Sequence, residues 1–414
     1  MRANLQPVPK DRVSVQLQLR ELFLRHVGQT SPEPLAFAVD YAEGVWLHGP
    51  NGERTLDLIA GIAVSSLGHG HPAVVEAVRE QAGRFLHTMV YGELVQAPQV
   101  HLAQRVASLL PDPLSSVFFV NSGSEAVEGA LKLAKRITGR TELVGFHNAY
   151  HGSTHGALSL GGTEAWKQAF RPLLPDVRTL TFGSTEDLEQ LSERTAAVLV
   201  EPVQGEAGVR IPPAGWLKAL SERCRSLGIL LIFDESQTGC GRTGRLFALE
   251  HSGVVPDILV LAKAFGGGMP LGAFIASREH MQALTADPVL GHICTFGGHP
   301  VSCAAGLAAL DALTAEGLVQ RVPILERLFR EGLEGQPGVR EVRSSGLMMA
   351  VQLDEFAHNK AVIDKALKLG VMTDWFLYCD DALRIAPPLV ISDDEAAWAI
   401  NVLQESLRSV YGPS

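Results

Sequence analysis

Short apolar runs that stop at polar or small residues recur through the middle of the chain and alternate with segments of helical periodicity. Five such runs, rich in branched aliphatic residues, occupy positions 116–120, 142–146, 197–200, 229–233 and 258–261. Continuous apolar strands that alternate with helices are typical of a mainly parallel sheet covered on both faces. The pattern therefore predicts an α/β fold with a large domain built on such a sheet.

The two ends of the chain have a different pattern. Residues 45–48 and 55–58 alternate between apolar and polar side chains, as hairpin strands do, around the turn at residues 49–52. The region from about residue 305 onward mixes helices with short strands. A chain of 414 residues also exceeds what one hydrophobic core usually supports. We therefore predict a smaller α+β domain formed by residues 1–60 and 305–414, beside a large domain over residues 61–304.

Composition and charge narrow the class of protein. Hydrophobic residues make up 46% of the chain and charged residues 19%, as in an ordinary globular protein. The formal net charge of −10, without a basic run, argues against binding to nucleic acid or to an anionic membrane. Met1–Leu5 leads into polar sequence, which predicts no secretory signal. Five scattered cysteines without a Cys-x-x-Cys pair favour reduced thiols and a cytoplasmic location.

The carboxyl ends of the predicted strands carry polar groups. In chain order these are a Ser/Gly cluster, a tyrosine and histidine pair, Glu201, Asp234 and Lys263. Ligands of open parallel sheets bind beyond the carboxyl ends of the strands. Packing alone would not place polar groups at five successive strand ends. The sequence therefore predicts a functional site along this edge of the sheet.

The first strand-to-helix turn has two interpretations. The segment Asn121-Ser122-Gly123-Ser124-Glu125 opens a helical pattern, and free N–H groups at such a helix start attract an anion such as phosphate. The alternative is a capping box, because Ser122 and Glu125 have the required spacing. The residues by themselves leave both open.

Asp234 and Lys263 are the strongest candidates for chemistry. A carboxylate at the end of a buried strand needs a cationic partner, and a protonated pyridine nitrogen is one. The alternative for Asp234 is a helix cap or a salt bridge. A lysine amine at a strand end can form a Schiff base with an aldehyde cofactor and then serve as a general acid and base. A structural ion pair is the alternative for Lys263.

Two further patterns are weaker. His147, His151 and His155 have the spacing of one helix face, but Gly152 and the residues around it favour a turn over a metal site. Residues 239–244 fit G-x-G-x-x-G, yet a dinucleotide site requires a strand that leads directly into a long helix. No metal is therefore predicted, and a nicotinamide enzyme is the distant alternative.

Seven segments together resemble a known family. They are NSGSEAVEGALKLAKR, AYHGST, VEPVQGEAGV, IFDESQTGCGRTGR, LAKAFGGGMPLGA, TFGGHP and LRIAPPLVI, within residues 44–391. In this order they are similar to the class III, fold-type I aminotransferases that depend on pyridoxal 5′-phosphate. Within that family the chain looks most like acetylornithine and ornithine aminotransferases. The resemblance implies a seven-stranded sheet and a homodimer with shared active sites. It also implies an amine donor and a 2-oxo acid acceptor, exchanged in a ping-pong transamination.

The resemblance also implies a role for individual residues. Lys263 and Asp234 would be catalytic, with Lys263 bound to the cofactor and Asp234 paired with its ring nitrogen. The further cofactor-binding residues would be Ser122, Gly123, Ser124, Tyr150, His151, Glu201, Gln237 and, from the neighbouring subunit, Thr295. The substrate-binding residues would be Trp46, Ser153, Glu206, Cys294 and Arg384.

The Glu206–Arg384 pair suits an enzyme that accepts two unlike substrates in turn. Glu206 would cover Arg384 when a terminal amine binds and would yield it to the carboxylate of a 2-oxo acid. A permanent structural ion pair is the alternative.

The chain departs from the family at several positions that bear on its site. Ser153 stands where many relatives have an arginine. Either another cation, Arg242 or a residue of the partner subunit, replaces that arginine, or the enzyme prefers a monocarboxylic acceptor such as pyruvate. Ser236 stands where Val or Ile is usual beneath the cofactor ring. A mutase, racemase or decarboxylase on the same scaffold is the remaining alternative function.

Overall fold

The structure is a computed structural model, which describes the backbone of residues 12–412 and the side chains from residue 19 onward. Met1–Leu5, on which the prediction of no secretory signal rests, lie outside the described residues. The strands, numbered in chain order, are β1 (Tyr41–Glu43), β2 (Trp46–His48), β3 (Arg54–Asp57), β4 (Ser116–Val120), β5 (Glu142–Phe146), β6 (Val177–Leu180), β7 (Thr195–Val200), β8 (Leu230–Asp234), β9 (Ile258–Leu261), β10 (Gly272–Ala276), β11 (Glu341–Ser344), β12 (Met349–Gln352), β13 (Val371–Met372), β14 (Trp375–Phe376) and β15 (Cys379–Ile385).

Helices occupy much of the remaining chain. They are α1 (Arg12–His26), α2 (Ala60–Ala63), α3 (Pro72–Arg84), α4 (Ala97–Leu109), α5 (Gly123–Thr138), α6 (His155–Leu160), α7 (Trp216–Leu227), α8 (Leu249–Ser252), α9 (Arg278–Gln282), α10 (Pro300–Ala315), α11 (Leu318–Leu333), α12 (Phe356–Lys368) and α13 (Asp393–Tyr411). Short 3-10 helices cover Glu164–Trp166, Gln168–Phe170, Glu186–Gln190 and Lys263–Gly266.

The central sheet has seven strands in the order β4-β10-β9-β8-β7-β5-β6. The pairs from β9 to β6 are parallel, and β10 runs antiparallel to both of its neighbours. Every residue of β7, β8, β9 and β10 is buried, which explains their continuous apolar sequence. All five predicted strands belong to this sheet, so the predicted α/β fold is confirmed.

The two ends of the chain meet in the smaller sheets. The sheet β1-β2-β3-β13 joins the N-terminal hairpin to the C-terminal region, where Leu56 pairs with Val371. A second sheet, β11-β12-β15-β14, is antiparallel and comes from the C-terminal region alone. The two chain ends therefore share one sheet, and the division into a larger and a smaller domain stays a prediction. The predicted boundary at residue 304 falls inside α10, which packs against α3 and α4 of the larger part.

Helix α5 brings its first turn to the carboxyl end of β4. The Ser122 side chain accepts the Glu125 N–H at the start of the helix, and Gly139 ends it in the left-handed conformation. The helix packs against β9 and β10. At Gly129 a Cβ atom would lie 2.2 Å from the Phe274 ring, so only glycine permits this close packing.

In residues 12–412 no single helix is long and apolar enough to cross a membrane. The adjacent pair α10 and α11 meets the length and composition requirements only together, with a 68° bend between the two helices.

Candidate active site

A cavity of about 400 Å³ opens at the carboxyl edge of the central sheet. The strands β4, β7, β8 and β9 end at its wall, as we expected from the polar groups at their carboxyl ends. Ten of the predicted site residues line it together: Ser122, Gly123, Ser124, Tyr150, His151, Glu201, Glu206, Asp234, Gln237 and Lys263. Sequence positions up to 141 residues apart in the chain, from Ser122 to Lys263, therefore converge on one cavity.

The turn before α5 combines both predicted features. Ser122 Oγ accepts the Glu125 N–H at 3.2 Å. The Glu125 carboxylate, however, accepts the N–H of Asn121 at 2.7 Å, one residue before the position that a capping box requires. The predicted box is therefore only half formed. Gly123 and Ser124 of this first turn line the cavity, and N–H groups at the start of a helix have no intrahelical partner.

The loop after β5 approaches this helix start closely. Gly152 has φ +122°, and a Cβ atom at this position would lie 1.9 Å from Ser124 Oγ. Ser124 Oγ in turn accepts the N–H of Ser153 at 3.2 Å. The absence of a side chain at Gly152 thus lets the two loops form a narrow, donor-lined end of the cavity.

Asp234 is a buried carboxylate with both oxygens engaged. Oδ2 accepts a hydrogen bond from His151 Nδ1 at 2.8 Å. Oδ1 accepts bonds from the Ser236 hydroxyl at 2.6 Å and from the Ser236 N–H at 3.0 Å. Burial by itself would raise the pKa of Asp234, but the bonds from His151 and Ser236 bring it below its usual value. Asp234 is therefore an anion at neutral pH, directed at the cavity.

Glu201 ties two loops to the end of β7. Its carboxylate accepts the Tyr150 N–H and the Gly205 N–H, each at 3.0 Å. Burial raises the pKa of Glu201 to about 7. Gly205 is required here, because a Cβ atom would lie 1.7 Å from the amide oxygen of Gln237. Glu201 thus supports the wall that carries Tyr150 and Gln237.

Lys263 follows β9 with a left-handed backbone conformation, φ +54°. Such a conformation is strained for a residue with a side chain and is concentrated at functional sites. Burial lowers the pKa of the Lys263 amine. The nearby negative charges of Glu206 and Asp234 act in the opposite direction and offset part of this lowering. Among the described residues its Nζ has no hydrogen-bond or salt-bridge partner. The structural ion pair that we considered for Lys263 is therefore not formed.

Glu206 and Arg384 form the predicted pair. The guanidinium donates from Nη1 and Nη2 to the two carboxylate oxygens at 3.0 and 2.9 Å. Arg384 lies on β15 and is 3% exposed, whereas Glu206 lines the cavity. Glu206 thus stands between the cavity and the arginine. Asp374, which our sequence analysis missed, accepts the Nε–H of Arg384 at 2.8 Å.

Two predicted substrate contacts lie outside the cavity. The indole N–H of Trp46 donates to Glu395 at 2.7 Å, and its ring packs against Trp398. Cys294 accepts a hydrogen bond from the Asn121 side chain at 3.0 Å on the other side of that loop. Within one chain, Trp46 and Cys294 therefore have packing roles. Neither lines the cavity, and Cys294 contacts the Asn121 side chain instead.

Ser153 lies exposed at the rim of the cavity, 3.4 Å from the Tyr150 hydroxyl. Arg242, which we considered as a replacement cation, is fully buried elsewhere. It donates to the carbonyls of Leu347 and Pro387, so it is unavailable to a substrate. That interpretation of Arg242 is wrong, because its side chain connects segments of the protein interior.

The two weaker patterns have structural explanations. Helix α6 begins only at His155, and His151 bonds to Asp234 instead of sharing a helix face with its neighbours. The described residues contain no cluster of His, Cys, Asp and Glu that is able to hold a metal ion. The segment at 239–244 forms turns, and the next helix, α8, begins only at Leu249. The strand-to-helix connection of a dinucleotide site is therefore absent from this segment.

Comparisons with known proteins agree with this geometry. The family model "Aminotransferase class-III" matches residues 27–407. The acetylornithine aminotransferase of Methanopyrus kandleri is 42% identical over 398 residues, which cover 95% of this chain and 100% of that protein. A Toxoplasma gondii ornithine aminotransferase structure, described with pyridoxal phosphate at its active site, has a TM-score of 0.89 and 31% identity over 98% of this chain and 99% of its own. An (S)-enantioselective omega-transaminase of Thermomicrobium roseum has a TM-score of 0.87 and 32% identity, over 96% of this chain and 98% of its own. The chain therefore belongs to the class III aminotransferases, which depend on pyridoxal phosphate.

Proposed function

We propose that this aminotransferase moves a terminal amino group from an acetylornithine- or ornithine-like donor to a 2-oxo acid. The observation that carries the proposal is the Glu206–Arg384 pair beside Lys263. An acidic side chain that covers a buried arginine suits a site that binds an uncharged chain in one half-reaction and a carboxylate in the other. The names of the M. kandleri and T. gondii relatives support the same donor class.

The cavity fits pyridoxal phosphate. Asp234 presents an anion to the interior, and the Nε2 atom of the supporting His151 is buried without a partner among the described residues. Ser122, Gly123 and Ser124, at the start of α5, line the cavity, and the N–H groups of a helix start suit a phosphate. When bound, the cofactor supplies an aldehyde that condenses with amines and a ring that withdraws electrons.

The residues of the chain would perform the remaining chemistry. Lys263 Nζ would hold the cofactor and, once displaced by the donor amine, carry the proton away from the substrate carbon. Its lowered pKa favours this, because a larger fraction of the amine is unprotonated at neutral pH. Asp234 would keep the pyridine nitrogen protonated. Tyr150 would stack on the ring, and Gln237 would bond its phenolic oxygen.

The Glu206–Arg384 pair would provide dual specificity. With the donor bound, Glu206 would keep the guanidinium covered and neutralised. The carboxylate of a 2-oxo acid would displace Glu206 and accept two parallel hydrogen bonds from Nη1 and Nη2 of Arg384. Ser153, at the rim beside Tyr150, remains our predicted contact for the far end of the substrate.

Assembly and compartment complete the proposal. Thr295 is exposed on the surface of one chain and does not line the cavity of its own subunit. It lies between the exposed apolar side chains of Ile293 and Phe296. We propose that this surface joins a second copy in a homodimer, so that Thr295 completes the phosphate site of the partner. A cytoplasmic location and the division into residues 1–60, 61–304 and 305–414 are part of the same proposal.

A donor and acceptor panel tests the reaction. Purified enzyme would be supplied with N-acetylornithine, ornithine, lysine or 4-aminobutyrate, each with 2-oxoglutarate or pyruvate, and the amino and oxo products would be quantified. We expect one molecule of amino acid to form from the acceptor for each molecule of donor that is converted to its aldehyde. N-acetylornithine or ornithine should be the preferred donor. Product from a single substrate without an acceptor would instead indicate a mutase, racemase or decarboxylase.

A further inference from the structure

Arg384 is held by more than the acidic residue that covers it. Its Nε–H donates to Asp374 Oδ1 at 2.8 Å, and one Nη2–H donates to the Trp375 carbonyl at 3.1 Å. The guanidinium carbon lies 4.3 Å from the centre of the Phe376 ring. All three contacts come from consecutive residues at the start of the β14–β15 hairpin. This segment therefore holds the guanidinium along its Nε–Nη2 edge and on one face.

The contacts of Glu206 are on a different edge of the guanidinium, formed by Nη1 and Nη2. The Glu206 carboxylate accepts hydrogen bonds from Nη1 and Nη2 of Arg384, and its Oε2 atom also accepts the Leu377 N–H at 3.2 Å. When a carboxylate displaces Glu206, Arg384 loses both bonds from that edge. The contacts that remain are the Asp374 carboxylate, the Trp375 carbonyl and the Phe376 face. Of these, Asp374 alone accepts the Nε–H.

The bond from Nε–H to Asp374 sets the orientation of the whole Arg384 guanidinium. A guanidinium is planar, so a fixed Nε–H direction also fixes the direction of the Nη1–Nη2 edge. A substrate carboxylate needs both N–H groups of that edge for a bidentate bond. Without a fixed Nε–H, Arg384 would have to be reoriented by each incoming carboxylate, at the expense of affinity.

Resting on the proposed function, we infer that Asp374 is a positioning residue for the acceptor half-reaction. It keeps the Arg384 guanidinium in its binding orientation after Glu206 has left. The terminal-amine half-reaction does not depend on this role, since Glu206 then holds the same guanidinium by two bonds. Asp374 thus selectively supports recognition of the 2-oxo acid carboxylate.

Two substitutions separate position from charge. Asp374→Asn keeps an oxygen acceptor at the same distance but removes the charge. Asp374→Glu keeps the charge but moves the acceptor by about 1.5 Å, the length of one C–C bond. Asp380, exposed on the same hairpin, provides the matched controls Asp380→Asn and Asp380→Glu.

The test measures the two half-reactions of the cofactor-loaded enzyme separately, by stopped-flow absorbance. N-acetylornithine is the donor; 2-oxoglutarate, and pyruvate with its single carboxylate, are the acceptors. For Asp374→Glu we expect the apparent Kd of both acceptors to rise about tenfold or more, the effect of one misplaced hydrogen bond to the charged guanidinium. The limiting rate and the donor Kd should change less than threefold, and Asp374→Asn should stay within threefold of the wild type in every constant.

Three results would overturn the inference. The first is an Asp374→Asn variant as impaired as Asp374→Glu, or more so, which would mean that charge matters and position does not. The second is an equal loss in the donor and acceptor half-reactions, as expected from a structural role. The third is a wild-type acceptor Kd in both variants. Failure of the proposed function is distinguishable, because the wild-type enzyme would then fail the donor or acceptor half-reaction before any variant is compared.

Discussion

Replacing Asp234 with asparagine tests whether the negative charge of this buried side chain is needed for the reaction. The side chain keeps its size, but the anion that faces the cavity is lost. The carboxylate accepts three hydrogen bonds, at 2.6, 2.8 and 3.0 Å, from Ser236 and His151. An asparagine amide has only one oxygen, so its NH2 group faces one of these donors and the arrangement cannot be kept intact.

The magnitude follows from where the charge lies. Asp234 is 4% exposed, so solvent does not screen its interaction with a protonated ring nitrogen. Removal of one preorganised electrostatic partner in a dry site typically costs ~100- to 1000-fold in rate, about 2.7–4 kcal/mol. We therefore expect turnover of Asp234→Asn to fall at least ~100-fold.

The assay is the single-turnover reaction of the cofactor-loaded enzyme with the amine donor, followed by visible absorbance. Cofactor content is measured in parallel, so that loss of binding is separated from loss of rate. Asp257→Asn is the matched control, because Asp257 accepts the Leu231 N–H at the far end of the sheet, away from the cavity. A rate for Asp234→Asn within threefold of the control would refute the assignment of Asp234 to the ring nitrogen.

Three other perturbations have definite expected outcomes. Lys263→Ala should abolish the visible band of the lysine-bound cofactor and lower turnover by several orders of magnitude, whereas exposed Lys218→Ala should do neither. Ser153→Arg should raise kcat/KM for 2-oxoglutarate relative to pyruvate by ~10- to 150-fold; an unchanged ratio with pyruvate preferred would show that Ser153 does not face the acceptor. Burial raises the pKa of Glu235 from 4.5 to about 7, so the folded state retains a proton that the unfolded chain releases. The free energy of unfolding should therefore fall as the pH rises from 4.5 to about 7, and Glu235 contributes up to ~3 kcal/mol of that loss. In Glu235→Gln the thermal midpoint should decline less steeply over the same pH range. Equal slopes in the variant and the wild type would contradict this expectation.

The buried strands were predictable because burial on both faces leaves an uninterrupted apolar run. The observed bounds of β4, β5 and β9 match the prediction, and β7 and β8 differ by one or two residues at their ends. Strand β6 was missed because it lies at the sheet edge, where Val177-Arg178-Thr179-Leu180 mixes polar and apolar side chains. Strand β10 was missed too, although only ten residues lie between Leu261, where β9 ends, and Gly272, where β10 begins. A parallel crossover needs a dozen or more residues, so this short spacing already required an antiparallel strand.

The site was predictable to the extent that its residues follow strands. Asp234 and Lys263 could be found from the residues themselves, since a charged group at the end of a buried strand has few structural uses. The Glu206–Arg384 pair came from the family resemblance, because nothing in the spacing of two residues 178 positions apart brings them together. Asp374 had neither signal. It precedes a two-residue strand in a hairpin, and its role appears only when the orientation of Arg384 is known.

The surroundings of Glu206 determine how it is able to move. Its carbonyl accepts the Tyr378 N–H at 3.0 Å, which fastens its backbone to the β14–β15 hairpin. Two residues further, the Gly208 carbonyl accepts the Arg343 Nε–H at 2.7 Å, and a Cβ atom at Gly208 would lie 2.6 Å from Cys379 Sγ. The loop is thus fixed to the C-terminal sheet from two sides, and a hinge motion would break these contacts together. Rotation of the Glu206 side chain breaks only its bonds to Arg384 and to the Leu377 N–H. Under the proposed function, the exchange between amine and carboxylate substrates would therefore be a movement of the Glu206 side chain, while the backbone of the loop and Arg384 stay in place.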